Sequence, residues 1–383
     1  MKNWKTLALA FSLLGLVACK AETEKPIAQL AEIEKSPITK QHYIRVALLL
    51  DTSNSMDGLI DQAKAQLWEI VNELSYARCR NQRPDLQIAL YEYGNDNLSS
   101  GSGYIRKILG FTSDLDDLSK ELFSLTTNGG SEFCGTVIQA SLKDLDWGND
   151  DDDLKMIFIA GNEPFTQGNV DYRDAASMAK EKDVVVNTIF CGDYRHGVDT
   201  HWQDGARLTY GDYMSIDHNR QTVHIDSPYD DLILQLNIKL NKTYVPYGIR
   251  GKEKVAIQVA QDANAESYGK ANAVGRTISK GSKFYKNSSW DLVDAMEEEA
   301  IVISDIESDN LPEELQDMNE EELTEYVKEK SAEREAIQSE INELNEKRRK
   351  FVADKKKATD NGLESALINA LKKQAGKKNY TWQ

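Results

Sequence analysis

Asp51, Ser53 and Ser55 are the residues whose types and spacing most plainly suggest chemistry: an aspartate and two serines at alternate positions, directly after the apolar run Ile44–Leu50. One carboxylate and two hydroxyls converging in a tight turn make an oxygen-only donor set, which suits Mg2+, Mn2+ or Ca2+ and not zinc. The same residue types also cap helices, because Ser and Asp side chains accept from the free N–H groups of a first turn. Position separates the two readings. The triplet stands at the carboxyl end of a run long and apolar enough to be a buried parallel strand, and open α/β sheets hold their ligands there.

Other constellations carry less. Cys191 to His196, followed by His201, Trp202 and Asp204, is dense in polar groups, but no GxSxG elbow and no HExxH helix occurs, so the segment reads as a surface loop and no catalysis is expected. The acidic run Asp150–Asp153 lacks the alternating spacing of a calcium loop and reads as a solvated connection. Neither Gly129-Gly130 nor Gly101-Ser102-Gly103 is followed by GK[ST], so neither is a phosphate loop.

The elements that must position Asp51 follow from hydrophobic patterning. Beyond Ile44–Leu50, strands are expected at Leu86–Tyr93, Tyr104–Leu109, Leu154–Ala160, Val184–Phe190 and Thr222–Ile225. Helical patterns fall after the first strand (Leu59 to Leu74) and near Leu115–Leu125, Thr136–Leu145, Asp171–Lys180 and Tyr229–Leu240. Strands alternating with helices predict a doubly wound, Rossmann-like α/β fold: a mostly parallel sheet with helices on both faces. Residues 246–310 read as a linker or small helical region, with weak patterns at Val255–Ala263 and Trp290–Ala300. Residues 311–360 form a charged helix. Its seam, Leu323, Val327, Lys330, Arg334, Ile337, Ile341, Leu344, Arg348 and Phe351, is apolar at six of nine positions, a partly coiled-coil pattern. Two readings stand open for it: self-association or partner binding through 323–351, or packing on its own chain. Residues 361–383 make a basic C-terminal tail, suited to an anionic surface or to simple solvation.

Composition bounds the partners. The 383 residues carry 46 Lys and Arg against 63 Asp and Glu, a formal charge of −17, so nucleic acid is not an expected partner. With 40% apolar and 28% charged residues the chain is neither disordered throughout nor a polytopic membrane protein. At the N-terminus, Lys2 and Lys5 precede the apolar run Leu7–Ala18, too short to span a bilayer and typical of a signal peptide over 1–18. Leu16-Val17-Ala18-Cys19 resembles the lipobox of bacterial lipoproteins. That resemblance implies lipidation of Cys19, a tether over 19–41, and attachment to the outer membrane, periplasmic or surface side, in a Gram-negative host.

Residues 42–245, with Asp51-x-Ser53-x-Ser55 after the first strand, resemble the von Willebrand factor A (vWA) domain and its metal-ion-dependent adhesion site. The family completes that site with a threonine from a second loop and an aspartate after the fourth strand of its sheet. Here the second loop reads Thr127-Asn128-Gly129-Gly130-Ser131-Glu132, so the resemblance implies Ser131 as the hydroxyl ligand. At the third position the chain has Gly161, within Phe158-Ile159-Ala160-Gly161-Asn162-Glu163-Pro164, a departure that leaves the missing oxygen to Asn162 or Glu163, with Glu132 a further candidate. The resemblance implies a divalent cation, Mg2+ on prior grounds with Mn2+ or Ca2+ as alternatives. It also implies a protein partner whose acidic side chain completes the ion's shell, and a binding rather than enzymatic role. A scaffold acting through the C-terminal helix is the alternative. The topology further places Cys134 and Cys191 at one edge of the sheet, so a Cys134–Cys191 disulfide is expected, with Cys79 left over.

Overall fold

The computed structural model describes residues 41–217, 225–355 and 363–382, and Gln41–Gln383 form one compact unit. The expected signal peptide, Cys19 and nearly all of the tether lie outside the described residues, as does the expected strand Thr222–Ile225 apart from Ile225. In chain order the strands are β1 (Tyr43–Asp51), β2 (Ala77–Cys79), β3 (Asp85–Tyr93), β4 (Ile105–Thr112), β5 (Leu154–Gly161), β6 (Val185–Cys191), β7 (Tyr213–Ile216) and β8 (Tyr380–Trp382). The helices of the first half are α1 (Asp57–Ser75), α2 (Leu115–Phe123), α3 (Cys134–Asp144), α4 (Tyr172–Glu181), α5 (Tyr194–Asp199), α6 (Trp202–Arg207) and α7 (Asp230–Leu240). Those of the second half are α8 (Gly251–Ser267), α9 (Lys270–Lys280), α10 (Leu292–Glu297), α11 (Glu320–Lys355) and α12 (Leu363–Ala375).

Six strands form the central sheet in the order β4-β3-β1-β5-β6-β7, parallel except for β4 at one edge. The chain leaves β1 toward β3 and β4, then crosses back to β5. The order therefore reverses at the β1–β5 pair, and a crevice opens above the carboxyl ends of these two strands. Strand pleating divides β1 between two cores: Val46 and Leu50 pack with α1, α7, α9 and α12 on one face, while Ala47 and Leu49 pack with α3, α4 and Trp202 on the other. This is the expected doubly wound, mostly parallel sheet with helices on both faces.

The described residues beyond Val245 lie in the same compact unit as the sheet. Val245, Leu292, Val293, Ile303, Leu311, Leu315, Leu323 and Val327 form a third apolar cluster. Along α11 the expected seam is occupied by its own chain: Leu323 and Val327 join that cluster, and Ile337, Ile341 and Leu344 enter the main core. Arg334, one of the three polar interruptions, is buried between Asp291 and Asp294, each at 2.6 Å. Of the two readings open for 323–351, the apolar seam positions Leu323 to Leu344 follow the one in which the helix packs on its own chain. The basic tail likewise folds back. Lys372 pairs with Glu73, Lys373 with Asp212 and Lys378 with Asp183, while Tyr380–Trp382 pairs antiparallel with β2.

The expected Cys134–Cys191 disulfide is not formed. Cys79, Cys134 and Cys191 are free and buried. Cys134 packs in the α3/α4 core and Cys191 in the core on the opposite face of the sheet, so the sheet itself separates the two thiols.

Candidate metal centre

The crevice above β1 and β5 is built from loops that are fixed to one another through their backbones. Thr52 N donates to Tyr93 O at 2.9 Å, Asn54 N to Gly129 O at 2.9 Å and Asn128 N to Thr52 O at 2.9 Å. Asn95 Nδ2 donates to Thr126 O at 2.9 Å. The loops after β1 and β3 and the segment Thr126–Glu132 are thereby held as one platform. The Asp51 carboxylate is fully buried, with Oδ1 accepting from Ser53 N at 2.8 Å. Ser53 Oγ and Ser55 Oγ lie 3.3 Å apart, and Asn162 Nδ2 donates to Ser55 Oγ at 3.1 Å. The spacing of Asp51, Ser53 and Ser55 therefore does bring three oxygens together, and Asn162 joins them from the end of β5.

Glu132 occupies the centre of the site. It is buried, and its side chain packs among Asp51, Ser53 and the glycines at 94 and 130: a Cβ on Gly94 would stand 2.7 Å from Glu132 Cγ and 2.9 Å from Asp51 Oδ1. Gly94 has φ +79°, so both its conformation and this close approach require glycine. Gln167 ties the second acid to the third: Glu132 N donates to Gln167 Oε1 at 3.3 Å, and Gln167 Nε2 donates to Glu163 Oε2 at 3.1 Å. Glu163 is half-buried, and its charge reaches both Asp51 and Glu132. Ser131 is half-buried on the same loop, between Gly130, which lies against Ser53, and Glu132.

Gly161 has a steric explanation. A Cβ there would fall 2.5 Å from Tyr93 Oη and 2.9 Å from Asp51 Oδ2. The Tyr93 hydroxyl, fixed by donating to Ala160 O at 2.9 Å, takes the space an aspartate at 161 would need. The acid that stands beside Asp51 is instead Glu132, which the sequence names only as one of several candidates. Tyr93 and Gln167 escape sequence reading altogether, since one reads as a strand aromatic and the other as a loop amide.

Burial pushes both Asp51 and Glu132 up from the usual carboxylate range; for Glu132 the neighbouring Asp51 charge adds to the effect, and for Asp51 the Glu163 charge does. Asp51 Oδ2, Glu132 Oε2 and Asn162 Oδ1 are buried without a hydrogen-bond partner. Buried acceptors are ordinarily satisfied, and buried like charges are ordinarily neutralised. Three unsatisfied oxygens beside two serine hydroxyls, with no nitrogen or sulfur donor among them, fit a hard divalent cation of the Mg2+, Mn2+ or Ca2+ type. By contrast, the segment from Cys191 to Asp204 is committed to structure: Asp193 caps α5, and Asp204 accepts from Tyr172 Oη at 2.6 Å.

No family model and no curated protein sequence matches the chain. Among solved structures it is similar to BatB from Bacteroides thetaiotaomicron, at 17% identity over 45% of this chain and 90% of that one, with a TM-score of 0.34. It is also similar to the SpRpn10 VWA domain, at 15% identity over 45% of this chain and 87% of that one, with a TM-score of 0.31. Proximal thread matrix protein 1 from the mussel byssus, described with a zinc-occupied MIDAS motif, aligns at 13% identity over 47% of this chain and 43% of its own length, with a TM-score of 0.35. These overlaps extend to less than half of the chain, and the reading of the site rests on its own geometry. Strand order, the antiparallel edge and the DxSxS turn at the switch point agree with the doubly wound fold expected from the resemblance of residues 42–245 to the vWA domain.

Proposed function

We propose that this chain is a lipid-anchored cell-envelope binding protein, in which Asp51, Ser53, Ser55, Ser131 and Glu132, with Asn162 and Glu163 at the rim, hold a divalent cation that receives an acidic side chain from a protein partner. The observation that supports this reading most directly is the set of buried, unpartnered oxygens on Asp51, Glu132 and Asn162 at the sheet's switch point. A hard cation with an incomplete protein shell keeps exchangeable waters, and a partner carboxylate can replace one of them. Mg2+ is the proposed ion, and a binding rather than catalytic role is part of the proposal. Cys19 and the lipobox-like segment before it support attachment to a membrane leaflet through acyl chains. The alternative of a scaffold acting through its C-terminal helix has less support, because the apolar strip of α11 is buried against its own chain.

The test is capture of envelope proteins on the immobilised chain, in Mg2+ and in EDTA, beside the Asp51→Ala chain. Capture lost both in EDTA and in the variant supports the reading. Capture unchanged in both overturns it.

A further inference from the structure

We propose a second metal site at the opposite end of β1, in which His42, Asp150 and Asp152 bind Zn2+. His42 immediately precedes β1, and Asp51 lies nine positions further along extended chain, which puts the two sites about 30 Å apart. The His42 side chain is 96% buried on the complement of its 4% exposure, and its Nδ1 has no hydrogen-bond partner. A buried imidazole nitrogen without a partner is uncommon and calls for a ligand. An imidazole nitrogen of His42 and one carboxylate oxygen from each of Asp150 and Asp152 lie within 4.8 Å of one another.

The acidic run is a built loop, not the solvated connection that its composition suggests. Asp152 N donates to Asp150 Oδ1 at 3.0 Å and Asp153 N to Asp150 O at 3.3 Å. Asp153 then fixes the loop to the start of β1, accepting from Tyr43 N at 2.9 Å and pairing with Arg45. Asp150 and Asp152 are thereby presented to His42. Zinc–ligand bonds of about 2.1 Å in a tetrahedron need donor separations of about 3.4 Å, so the three donors must draw together by up to about 1.4 Å. Both acids are half-buried and on a loop, and side-chain rotation supplies that movement.

Arg80 is one competitor for Asp152. Its Nη2 donates to Asp152 Oδ1 at 2.9 Å from a side chain that is 60% exposed, so the guanidinium can leave for solvent when an ion arrives. The donor set also separates this site from the first. An imidazole nitrogen with two carboxylates favours Zn2+ over Mg2+ and Ca2+, whereas the oxygen-only set around Asp51 favours the harder ions. Three protein ligands leave a fourth position for water.

The experiment is calorimetric titration of Zn2+ into the full, tag-free Asp51→Ala chain in excess Mg2+, which silences the first site. One saturable equivalent is expected. Asp152→Asn, a half-buried change on a loop, should weaken it at least tenfold, and His42→Gln should do the same where circular dichroism shows the fold retained. Arg80→Gln should tighten it by removing the competing cation. Absence of saturable Zn2+ binding in the Asp51→Ala chain overturns the proposal, as does binding that Asp152→Asn leaves unchanged.

Discussion

The hydroxyl of Tyr93 stands 2.5 Å from the point where Gly161 would carry a Cβ, so these two residues exclude a larger side chain at 161 while Tyr93 remains in place. Gly161→Asp alone should destabilise the fold by ~1–3 kcal/mol through overpacking. Tyr93→Phe removes the obstructing oxygen, and in that background the same aspartate should cost less. Urea unfolding of the two single variants and the double variant gives the coupling directly. Strictly additive effects would show that the hydroxyl does not set the identity of residue 161.

Glu132→Gln should act with opposite signs on the metal-free and metal-bound protein. The amide keeps the donor that a protonated Glu132 offers Asp51 and never has to ionise beside it, so the metal-free variant should melt at or above the wild-type temperature. Its Mg2+ affinity should fall at least tenfold, because ligand charge tunes affinity in oxygen sites. For the wild type, Mg2+ at about a hundredfold excess over Kd should add about 2.7 kcal/mol, and EDTA should remove it. Thermal melts with Mg2+ and with EDTA check both signs. A Glu132→Gln chain stabilised by Mg2+ as fully as the wild type would remove Glu132 from the ligand set.

Much of the fold is legible because its strands are apolar and uninterrupted: Ile44–Leu50, Leu86–Tyr93 and Leu154–Ala160 match the observed strands to within a residue or two. The second half resists such reading because its burial is polar. Along α9, Asn272, Arg276, Thr277, Ser279 and Lys280 are all buried, a composition that looks solvated until its partners in distant segments are known. Arg276 pairs with Asp116 at 2.8 Å, across 160 positions of sequence. β7 is short and carries a serine, so it lacks the apolar signature of its neighbours. In the site, Asp51, Ser53 and Ser55 declare themselves by adjacency, whereas no local pattern says which of Glu132, Asn162 and Glu163 reaches inward. The mistaken disulfide came from judging both cysteines by strand end alone. The pleat that sends Phe190 to one face sends Cys191 to the other.

Lys280 should make stability rise with pH in the alkaline range. Burial holds its ammonium down to about 8, with Asp262 opposing that shift and Arg276 adding to it. Below that value Lys280 is charged in both states. Between about 8 and its ordinary 10.5 the unfolded chain holds a proton that the native chain has released, so the native state gains as pH rises. Relative to Lys280→Met, wild-type stability should therefore increase by up to ~3 kcal/mol across this window. Urea unfolding of both proteins at about pH 7 and about pH 10 measures it. A difference that is flat or falls with pH would mean that Lys280 stays charged in the native state.

Arg334 links α11 to the body. Its guanidinium bonds Asp291 and Asp294 at 2.6 Å each, and donates from Nη2 to Thr243 O at 2.7 Å, while Asp291 is fully buried. Removing one member of a buried pair leaves the other's charge uncompensated, so Arg334→Met should cost ~3–5 kcal/mol. Asp291→Asn should recover part of that loss in the double variant, because it removes the stranded charge. Ending the chain at residue 310 has the same effect on a larger scale: it deletes Arg334 and uncovers the apolar surface that Leu323, Val327, Ile337 and Ile341 bury. Such a chain should unfold without a sharp transition and self-associate in sedimentation velocity, where the full chain should not associate through this strip. A soluble, cooperatively unfolding chain ending at 310 would show instead that α11 is an appendage, and would return its seam to consideration as a partner-binding surface.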